Sequence, residues 1–434
     1  MKSFKQKYFP LLKQFLPMSA SDMVMALGDP IIVFVLASLP NGTLYLAAFA
    51  LGKGVAVFFE SPIISILPTS NAMAGQAKTR QLLLRFVLLL GSGLTAAMLL
   101  TGSLINIPAL FQINQSVWEA ALLLILLLCP WPLAIALRRF WQGQIIRAGF
   151  SGLIAKGSLL RCLLLAATAF IMAAVTDRGE WIAAGALLTG VFGELLFIRY
   201  QAIKIALVEE TPKSSLPINL SEMGHYYWPL AQSMLSLWGA RLLLPFFIAT
   251  TGELFIAVWA AGWALVISVS NGVRMVQQLV IRNINHIARE SLCYFSLGVG
   301  GAFSFILFCM AVTPWGKAFC RYYGGSQLLG DNISNVILAA CLLPLLMSLQ
   351  NYLQGLLMVK SLTKEIGRSA LIANGLMVLG ALLFTQQGYP PYWIALIVSM
   401  ATTVEVCLLA FYLKSNEQSQ SGKRFFTHKS INPS

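Results

Sequence analysis

Arg241 has unusual surroundings, because it is the only charged residue between Glu222 and Glu253. The segment around it, 226–249, is apolar and long enough to cross a bilayer. An arginine near the middle of such a helix costs at least about 2.5–3.5 kcal/mol in lipid. It persists where it faces a charged partner or a watery path, and its forked donors suit carboxylate or phosphate groups. Arg241 therefore predicts an anion-recognising site or a charge pair inside the membrane.

Two further pairs of charges fall in apolar segments with the same spacing. Asp22 and Asp29 are seven residues apart, and so are Lys53 and Glu60. Seven residues is close to two helical turns, so each pair faces one side of its helix with about 10 Å between its members. A purely structural interpretation pairs Lys53 with Glu60, and Asp29 with Arg241. We favour a functional role for Asp29 and Arg241, because they lie on the first helix of each half of the chain.

Three more charges complete this set. Glu194 and Glu405 fall late in their apolar segments, where structural neutralisation or snorkelling to the interface is the favoured interpretation, and Arg274 lies in the inner part of its own segment. Because charges inside a membrane are costly, each is a candidate functional residue. The residues predicted to line a substrate cavity are Arg241, Lys53, Arg274, Asp29 and Asp22. The residues predicted to couple or gate transport are Asp22, Asp29, Glu60 and Glu405.

No motif for catalysis is present. The sequence has no Walker A loop and no GxSxG or HExxH motif, so neither ATP hydrolysis on this chain nor an enzyme activity is predicted. The seven cysteines are scattered, with no CxxC or Cys/His cluster, and the three histidines are isolated. We therefore expect no metal site and no cofactor, apart from H+ or Na+ as a coupling ion.

Composition sets the class of protein. Of 434 residues 58% are hydrophobic and only 11% are charged, against about 25% charged in soluble domains. Such a chain is an all-α polytopic membrane protein. The twelve predicted membrane segments are 9–38, 44–73, 81–105, 117–138, 152–175, 181–207, 226–249, 253–280, 291–315, 333–358, 367–385 and 390–413.

The distribution of positive charge predicts the orientation. The formal net charge of +14 is concentrated in one set of loops and in the termini, including Arg138, Arg139 and Arg161 at the predicted inner ends. The opposite loops carry only Arg178, Lys317 and Arg321. The positive-inside rule then places both termini in the cytoplasm, in an inner or plasma membrane. The basic character is a topology signal, and we expect no nucleic-acid partner.

The two halves of the sequence resemble each other. Pro132 to Gly143 aligns without gaps on Pro344 to Gly355, and Leu46 to Gly52 aligns on Ile256 to Gly262. Phe9-Pro10-Leu11 corresponds to Trp228-Pro229-Leu230. These matches occur in the same order and predict an internal duplication of six helices. An even number of helices per repeat gives both repeats one orientation, related by an axis along the membrane normal, as in transporters that rock two lobes about a central site.

The repeat also gives the predicted domains. The N-terminal lobe is 1–207, a cytoplasmic linker is 208–224, the C-terminal lobe is 225–413 and a disordered polar tail is 414–434. Prolines inside the helices predict either static kinks or the bends that alternating access needs.

These features resemble the multidrug/oligosaccharidyl-lipid/polysaccharide (MOP) exporter superfamily, which includes the MATE transporters. Within it, the sequence is similar to the progressive ankylosis family over most of the chain at low identity. The resemblance is carried by residues along several helices: Tyr8-Phe9-Pro10-Leu11, Lys13, Pro17, Gly28, Asp29, Leu46-Ala47, Leu51, Phe58-Phe59, Pro62, Trp228-Pro229-Leu230-Ala231, Arg241, Leu353, Gly355, Leu357-Met358 and Glu405. The sequence departs from the family's animal member at Asp22, Lys53 and Glu60.

The resemblance implies two bundles in a V around a central cavity, with Asp29, Arg241 and Glu405 as cavity or gating groups. It also implies export of a small organic or phosphate anion, since the animal member of that family exports pyrophosphate, nucleotide and citrate. Two alternatives stay open from the residues alone. One is cation-coupled multidrug efflux of the MATE type, and the other is flipping of a lipid-linked glycan. We expect a monomer that works in the lipid bilayer on a small molecule.

Overall fold

The computed structural model describes residues 2–73, 76–104, 113–148, 150, 152–205, 219–284, 286–360 and 362–429. These residues are helical almost throughout and contain no strand, which confirms the all-α class. The α-helices are α1 Lys2–Ala26, α2 Gly28–Ala37, α3 Gly42–Glu60, α4 Ile66–Met73, α5 Ala77–Leu104, α6 Gln115–Leu127, α7 Trp131–Arg147, α8 Gly152–Ala173, α9 Gly179–Lys204, α10 Leu220–Ala249, α11 Glu253–Ser270, α12 Val276–Asn283, α13 Arg289–Val312, α14 Pro314–Gly324, α15 Gln327–Ala339, α16 Leu343–Val359, α17 Thr363–Gln386 and α18 Pro391–Lys429. We call α1 to α9 the N-terminal half and α10 to α18 the C-terminal half.

Most of the predicted membrane segments form helices that are long and apolar enough to span a bilayer. Within the described residues nine spans meet that standard, and α6 with α7, bent by 42° at their junction, make a tenth. The predicted first and seventh segments, α1 with α2 and α10, do not meet it. In α10 the stretch Met234–Ala249 is apolar but shorter than the 18 residues that the standard requires.

The internal repeat is visible in the bounds of the helices. The offset between Pro132 and Pro344 carries both bounds of α6 onto those of α15, and both bounds of α7 onto those of α16. The same offset carries the first residues of α5 and α9 onto the first residues of α13 and α18. Pro132 and Pro344 each follow the first residue of a helix, where the missing amide hydrogen costs nothing. The duplication predicted from sequence is therefore a duplication of structure.

A second break repeats in the same way. A 3-10 turn, Ser61–Ile63, follows α3, and another, Asn271–Met275, follows α11. The offset that aligns Leu46 with Ile256 carries Ser61 onto Asn271. Only the first turn contains a proline, Pro62. Proline therefore does not explain the second break, although the α-helix is interrupted at the same place in both halves.

The aligned glycines Gly52 and Gly262 allow close helix packing at equivalent places. A Cβ on Gly52 would lie 2.9 Å from Leu124 of α6, and a Cβ on Gly262 would lie 2.9 Å from Val336 of α15. Leu124 and Val336 are themselves related by the offset of the repeat. In each half, a glycine thus allows the helix of the second membrane segment to pack closely on a helix of the fourth: α3 on α6, and α11 on α15.

The first helix of each half reaches across to the other half at its predicted cytoplasmic end. In α1, Leu11 and Phe15 are buried in a core formed by residues of α12, α13, α16 and α18. The rings of Phe15 and Phe295 pack edge to face, with their centroids 5.8 Å apart. In α10, Tyr227 is buried and its hydroxyl donates a hydrogen bond to the Pro62 carbonyl at 2.5 Å. The two halves are therefore braced against each other reciprocally.

The ends of the predicted domains differ in part from the sequence prediction. Most of the predicted linker, residues 208–218, lies outside the described residues, and α10 already begins at Leu220. The last helix continues to Lys429, so helix covers much of the segment expected to be disordered. That segment has no proline before Pro433, so it contains no residue that must break the helix at Lys414.

Candidate functional site

Asp29 is paired with Lys53, which corrects two predictions. The Lys53 ammonium and the Asp29 carboxylate form an ion pair between α3 and α2, with the two side chains 18% and 39% exposed. The pair of Asp29 with Arg241 offered by the structural interpretation is wrong, because the Asp29 carboxylate is already paired with Lys53. The alternative pair of Lys53 with Glu60 is wrong as well, because Glu60 instead accepts a hydrogen bond from Trp131 Nε1 at 2.9 Å.

Glu194 is held in a buried network inside the N-terminal half. It forms an ion pair with Arg138 and accepts a hydrogen bond from Gln142 Nε2 at 3.0 Å. Arg161 Nη1 lies 3.8 Å from the same carboxylate. Glu194 is fully buried and Arg138 is only 2% exposed, so each needs the other's charge. This network supports the structural interpretation of Glu194.

The network gives two of the predicted topology charges a further contact. The sequence prediction put Arg138, Arg139 and Arg161 at the inner ends of their segments, and in the structure Arg138 and Arg161 lie beside Glu194 inside the N-terminal half. The helix α7 runs on to Arg147, nine residues past the predicted end of its segment. The alignment contained the signal, since Arg138 and Arg139 match Gln350 and Asn351, which fall inside a predicted membrane segment of the other half.

Glu405 is a buried carboxylate of the C-terminal half with different partners. It is 7% exposed and accepts a hydrogen bond from Gln354 Nε2 at 3.1 Å. In the described residues no cation lies within ion-pair distance of it. Arg241 is the cation within electrostatic range.

Arg241 lies near the boundary between the two halves. On its helix, Gly239 faces Phe58, and Leu242 and Pro245 face Gly54 of α3. The Arg241 guanidinium lies over the Trp238 ring at 5.1 Å from its centroid. The Arg241 side chain is exposed on the surface of the structure. In the described part of the chain it forms no ion pair.

Arg274 is the second such arginine. It lies in the 3-10 turn after α11, it is exposed, and it is within electrostatic range of Arg241. The described residues provide no ion pair for it either. Asp22 of α1 lies within electrostatic range of it and of Arg139.

The structure therefore divides the predicted site residues into two groups. Asp29 and Lys53 are paired and Glu60 is bonded to Trp131, whereas Arg241, Arg274, Asp22 and Glu405 form a chain of charges that no close ion pair neutralises. Across the described residues, no group of three or more His, Cys, Asp and Glu side chains is placed to hold a metal ion. Two arginines of like charge, accessible and unpaired, are suited to bind an anion.

The sequence matches no protein-family model and no curated protein. Solved structures do match. An inward-facing multidrug resistance MATE family transporter of the MOP superfamily is 16% identical, with a TM-score of 0.63 over 92% of this chain and 96% of that one. The lipid II flippase MurJ, in an inward closed conformation, is 14% identical, with a TM-score of 0.65 over 92% of this chain and 87% of that one.

A third match is a MOP superfamily transporter from Pyrococcus furiosus, described as having a binding pocket of reverse polarity that suggests a different function. It is 17% identical, with a TM-score of 0.59 over 94% of this chain and 96% of that one. At these identities the likeness shows the fold. The chain is an integral, multi-pass membrane protein with the fold of the MATE and MOP transporters. The proteins of this fold named here are transporters and a flippase, none of them an enzyme.

Proposed function

We propose that this protein is a secondary-active exporter of small organic or phosphate anions, such as pyrophosphate, citrate or nucleotide-like molecules, working by alternating access. The observation that carries the proposal is which cationic side chains in the membrane segments have carboxylate partners and which do not. Lys53, Arg138 and Arg161 have carboxylate partners, whereas Arg241 and Arg274 are exposed, close to each other and without an ion pair in the described residues. Keeping two such charges in a membrane is costly, and a bound anion would offset that cost.

The breaks in the helices support alternating access. Transporters with parallel repeats rock one bundle against the other around a fixed site near the middle of the membrane. Here both halves have 3-10 turns at equivalent places, and Arg274 lies within one of them. A substrate at Arg274 would therefore be held where the α-helical geometry of α11 is interrupted. Asp22, Asp29, Glu60 and Glu405 are the candidates to carry a coupling proton or sodium ion.

The proposal also includes the membrane location and the oligomeric state. The excess of basic residues on one side places both termini in the cytoplasm and the protein in the inner or plasma membrane. The substrate path lies between the two halves of a single chain, so a monomer is sufficient. Membership of the progressive ankylosis family would fit this substrate class.

Multidrug efflux is the second candidate, and two observations favour it. The matched structures include multidrug resistance MATE transporters, and Asp29 is 39% exposed, so its carboxylate is available to a cation. Flipping of a lipid-linked glycan is a third candidate, supported by the match to MurJ. The pocket described as having reverse polarity supports the anion proposal, because the same fold has been found with pockets of differing charge.

The test is transport in proteoliposomes containing the purified full-length chain. We expect uptake of labelled pyrophosphate or citrate that falls at least tenfold in Arg241→Gln, while the matched surface control Arg368→Gln, at a residue 67% exposed, keeps the wild-type rate. Transport of organic cations with no transport of any tested anion would overturn the anion proposal and support multidrug efflux.

A further inference from the structure

Helix α14 connects two membrane spans at the side where α13 ends, which is the side predicted to be outer. Helix α13 is one of these spans, and α15 together with α16 makes the other, Gln327–Val359. Only Thr313 separates α14 from α13, and only Gly325 and Ser326 separate it from α15. Because each end of α14 is joined so directly to a span, the helix lies close to the membrane surface.

The chain turns sharply between α13 and α14. Thr313 has an extended backbone, its hydroxyl accepts a hydrogen bond from the Gly316 amide at 3.1 Å, and Pro314 occupies the first position of the new helix. A Cβ on Gly316 would clash with the carbonyl group of Met310 in α13. Helix α14 is therefore a separate element and does not continue the span.

Three faces of α14 differ in character, since successive residues of a helix point about 100° apart. One face packs on the protein through Cys320 and Tyr323, which are buried. The side chains of the next face are aromatic and between 45% and 87% exposed, and they follow one another at spacings of four and three residues: Trp315, Phe319 and Tyr322. The side opposite these rings carries Lys317 and Arg321, both exposed. The exposed part of α14 is therefore amphipathic.

The aromatic face of α14 continues the lipid-facing surface of the spans on both sides. In the last turns of α13, Phe308 and Val312 are exposed, and Trp315 follows three residues later. At the other end of the face, the rings of Tyr322 and Phe34 of α2 have their centroids 5.3 Å apart. Phe34 in turn contacts Phe170, an exposed ring near the end of the spanning helix α8. Exposed apolar side chains of a spanning helix face lipid, so lipid borders the aromatic face of α14 at both ends.

The charges near α14 indicate its depth in the membrane. Arg321 Nε donates a hydrogen bond to Asp331 Oδ1 of α15 at 2.8 Å, and both side chains are nearly half exposed. Such charges are costly in hydrocarbon, whereas tryptophan and tyrosine rings favour the level of the headgroups. The span Gln327–Val359 has 33 residues, against about 20 needed to cross the hydrocarbon, so its first turns extend beyond it. These observations place α14 at the level of the headgroups.

We propose that α14 is a membrane-interface helix, which lays Trp315, Phe319 and Tyr322 among the phospholipid headgroups and keeps Lys317 and Arg321 in water. An exposed apolar patch with a charged opposite side marks a contact with a membrane or with a protein. The bilayer surface is the partner here, because lipid-facing residues of α13 and α8 border the patch and both ends of α14 are joined to spans. The proposal is independent of the substrate and of the direction of transport.

The test uses the full-length chain labelled with fluorotryptophan, in nanodiscs of phosphatidylcholine, with fluorine NMR as the readout. The signal lost in Trp315→Phe belongs to Trp315, and the signal lost in Trp259→Phe belongs to a buried control. A nitroxide placed on the lipid near its headgroup should broaden the Trp315 signal until it is lost. A nitroxide at the end of the acyl chain and a water-soluble gadolinium chelate should broaden it less, and the Trp259 signal should change little with any of the three probes.

The opposite face of the same helix provides a matched variant. Lys317→Trp adds a signal on the side predicted to face water, and the gadolinium chelate should broaden that signal most. Equal responses of the Trp315 signal and of this added signal would overturn the amphipathic arrangement.

Every other result for Trp315 also overturns the proposal. Broadening mainly by the gadolinium chelate would place the aromatic face in water, and broadening mainly by the nitroxide at the end of the acyl chain would place it in the hydrocarbon. Broadening by none of the probes would mean that protein covers the face, such as a second copy of the chain. If Trp315→Phe does not fold, Tyr322→Trp supplies a new signal on the same face, which should respond most to the headgroup nitroxide.

Discussion

Glu194 and Glu405 are held by matching helices of the two halves, Glu194 by an arginine and a glutamine and Glu405 by a glutamine. Arg138 and Gln142 contact Glu194 from α7, and Gln354, which aligns with Gln142, contacts Glu405 from α16. The offset that aligns these partners carries Glu194 onto Val406, one residue beyond Glu405, so the two carboxylates meet their helices from neighbouring positions. The N-terminal half therefore has an ion pair where the C-terminal half has a carboxylate bonded to an amide.

Neutralising Glu194 should destabilise the protein strongly. Glu194→Gln leaves Arg138 buried without its counter-charge, and breaking a buried pair in this way costs about 3–5 kcal/mol. Thermal unfolding in detergent measures the effect, with Glu405→Gln as the matched control. We expect the control to unfold close to wild type, because glutamine can replace a carboxylate among amide partners. Equal unfolding temperatures for the two variants would contradict this assignment.

Neutralising Glu405 should instead alter transport. Glu405→Gln fixes an uncharged side chain near Arg241, so a role in coupling or gating is lost while the fold remains. We expect transport of the proposed anions to lose its dependence on an imposed proton or sodium gradient, measured in proteoliposomes. An unchanged gradient dependence would remove Glu405 from the coupling residues.

Removing the Tyr227 hydroxyl should loosen the contact between the halves. Tyr227→Phe leaves the buried Pro62 carbonyl without its donor, at a cost of about 1–3 kcal/mol. Hydrogen exchange should become faster around residues 61–66, where α10 meets the 3-10 turn. The control Tyr294→Phe alters a tyrosine that is 67% exposed and should leave exchange there unchanged. Unaltered exchange in Tyr227→Phe would show that this hydrogen bond does not brace the halves.

The pair of Lys53 and Asp29 should behave as a unit. Either single neutral variant, Lys53→Gln or Asp29→Asn, leaves one charge in the membrane without its partner, whereas the double variant leaves none. We expect a coupling energy of about 0.5–3 kcal/mol in a double-mutant cycle of unfolding. Additive single effects would mean that Asp29 is stabilised by something other than Lys53.

The sequence predicted much of this fold because its signals are local. Long apolar segments identify helices, and the aligned Pro132 and Pro344 identify the repeat, which the helix bounds reproduce. The pairing of charges was harder, because spacing along a helix shows which residues share a face and does not show which neighbouring helix that face meets. From the sequence, Asp29 could therefore be paired with Arg241 in the other half, whereas its partner in the structure is Lys53 on the next helix.

Arg139 shows the opposite difficulty. Counting basic residues near the ends of segments treats every arginine there as a topology signal, so an arginine whose Nε is buried in the structure is missed. Whether Arg139 lies within the helix or in a loop depends on the length of α7. That length is hard to predict from the sequence, because the apolar segment ends in Arg138-Arg139. The repeat partly corrects this, because its other copy has uncharged residues at the same positions.

The crossing of α1 into the other half has a consequence for biosynthesis. Leu11 and Phe15 leave the ribosome early, but the residues that bury them begin at Val276 and extend to Leu413. The amino-terminal end of α1 must therefore wait, unpacked, until most of the chain has been inserted. We therefore expect the amino-terminal end of α1 to be among the last parts of the chain to pack. A nascent chain released before α12 is made would expose Leu11 and Phe15 to quality-control proteases.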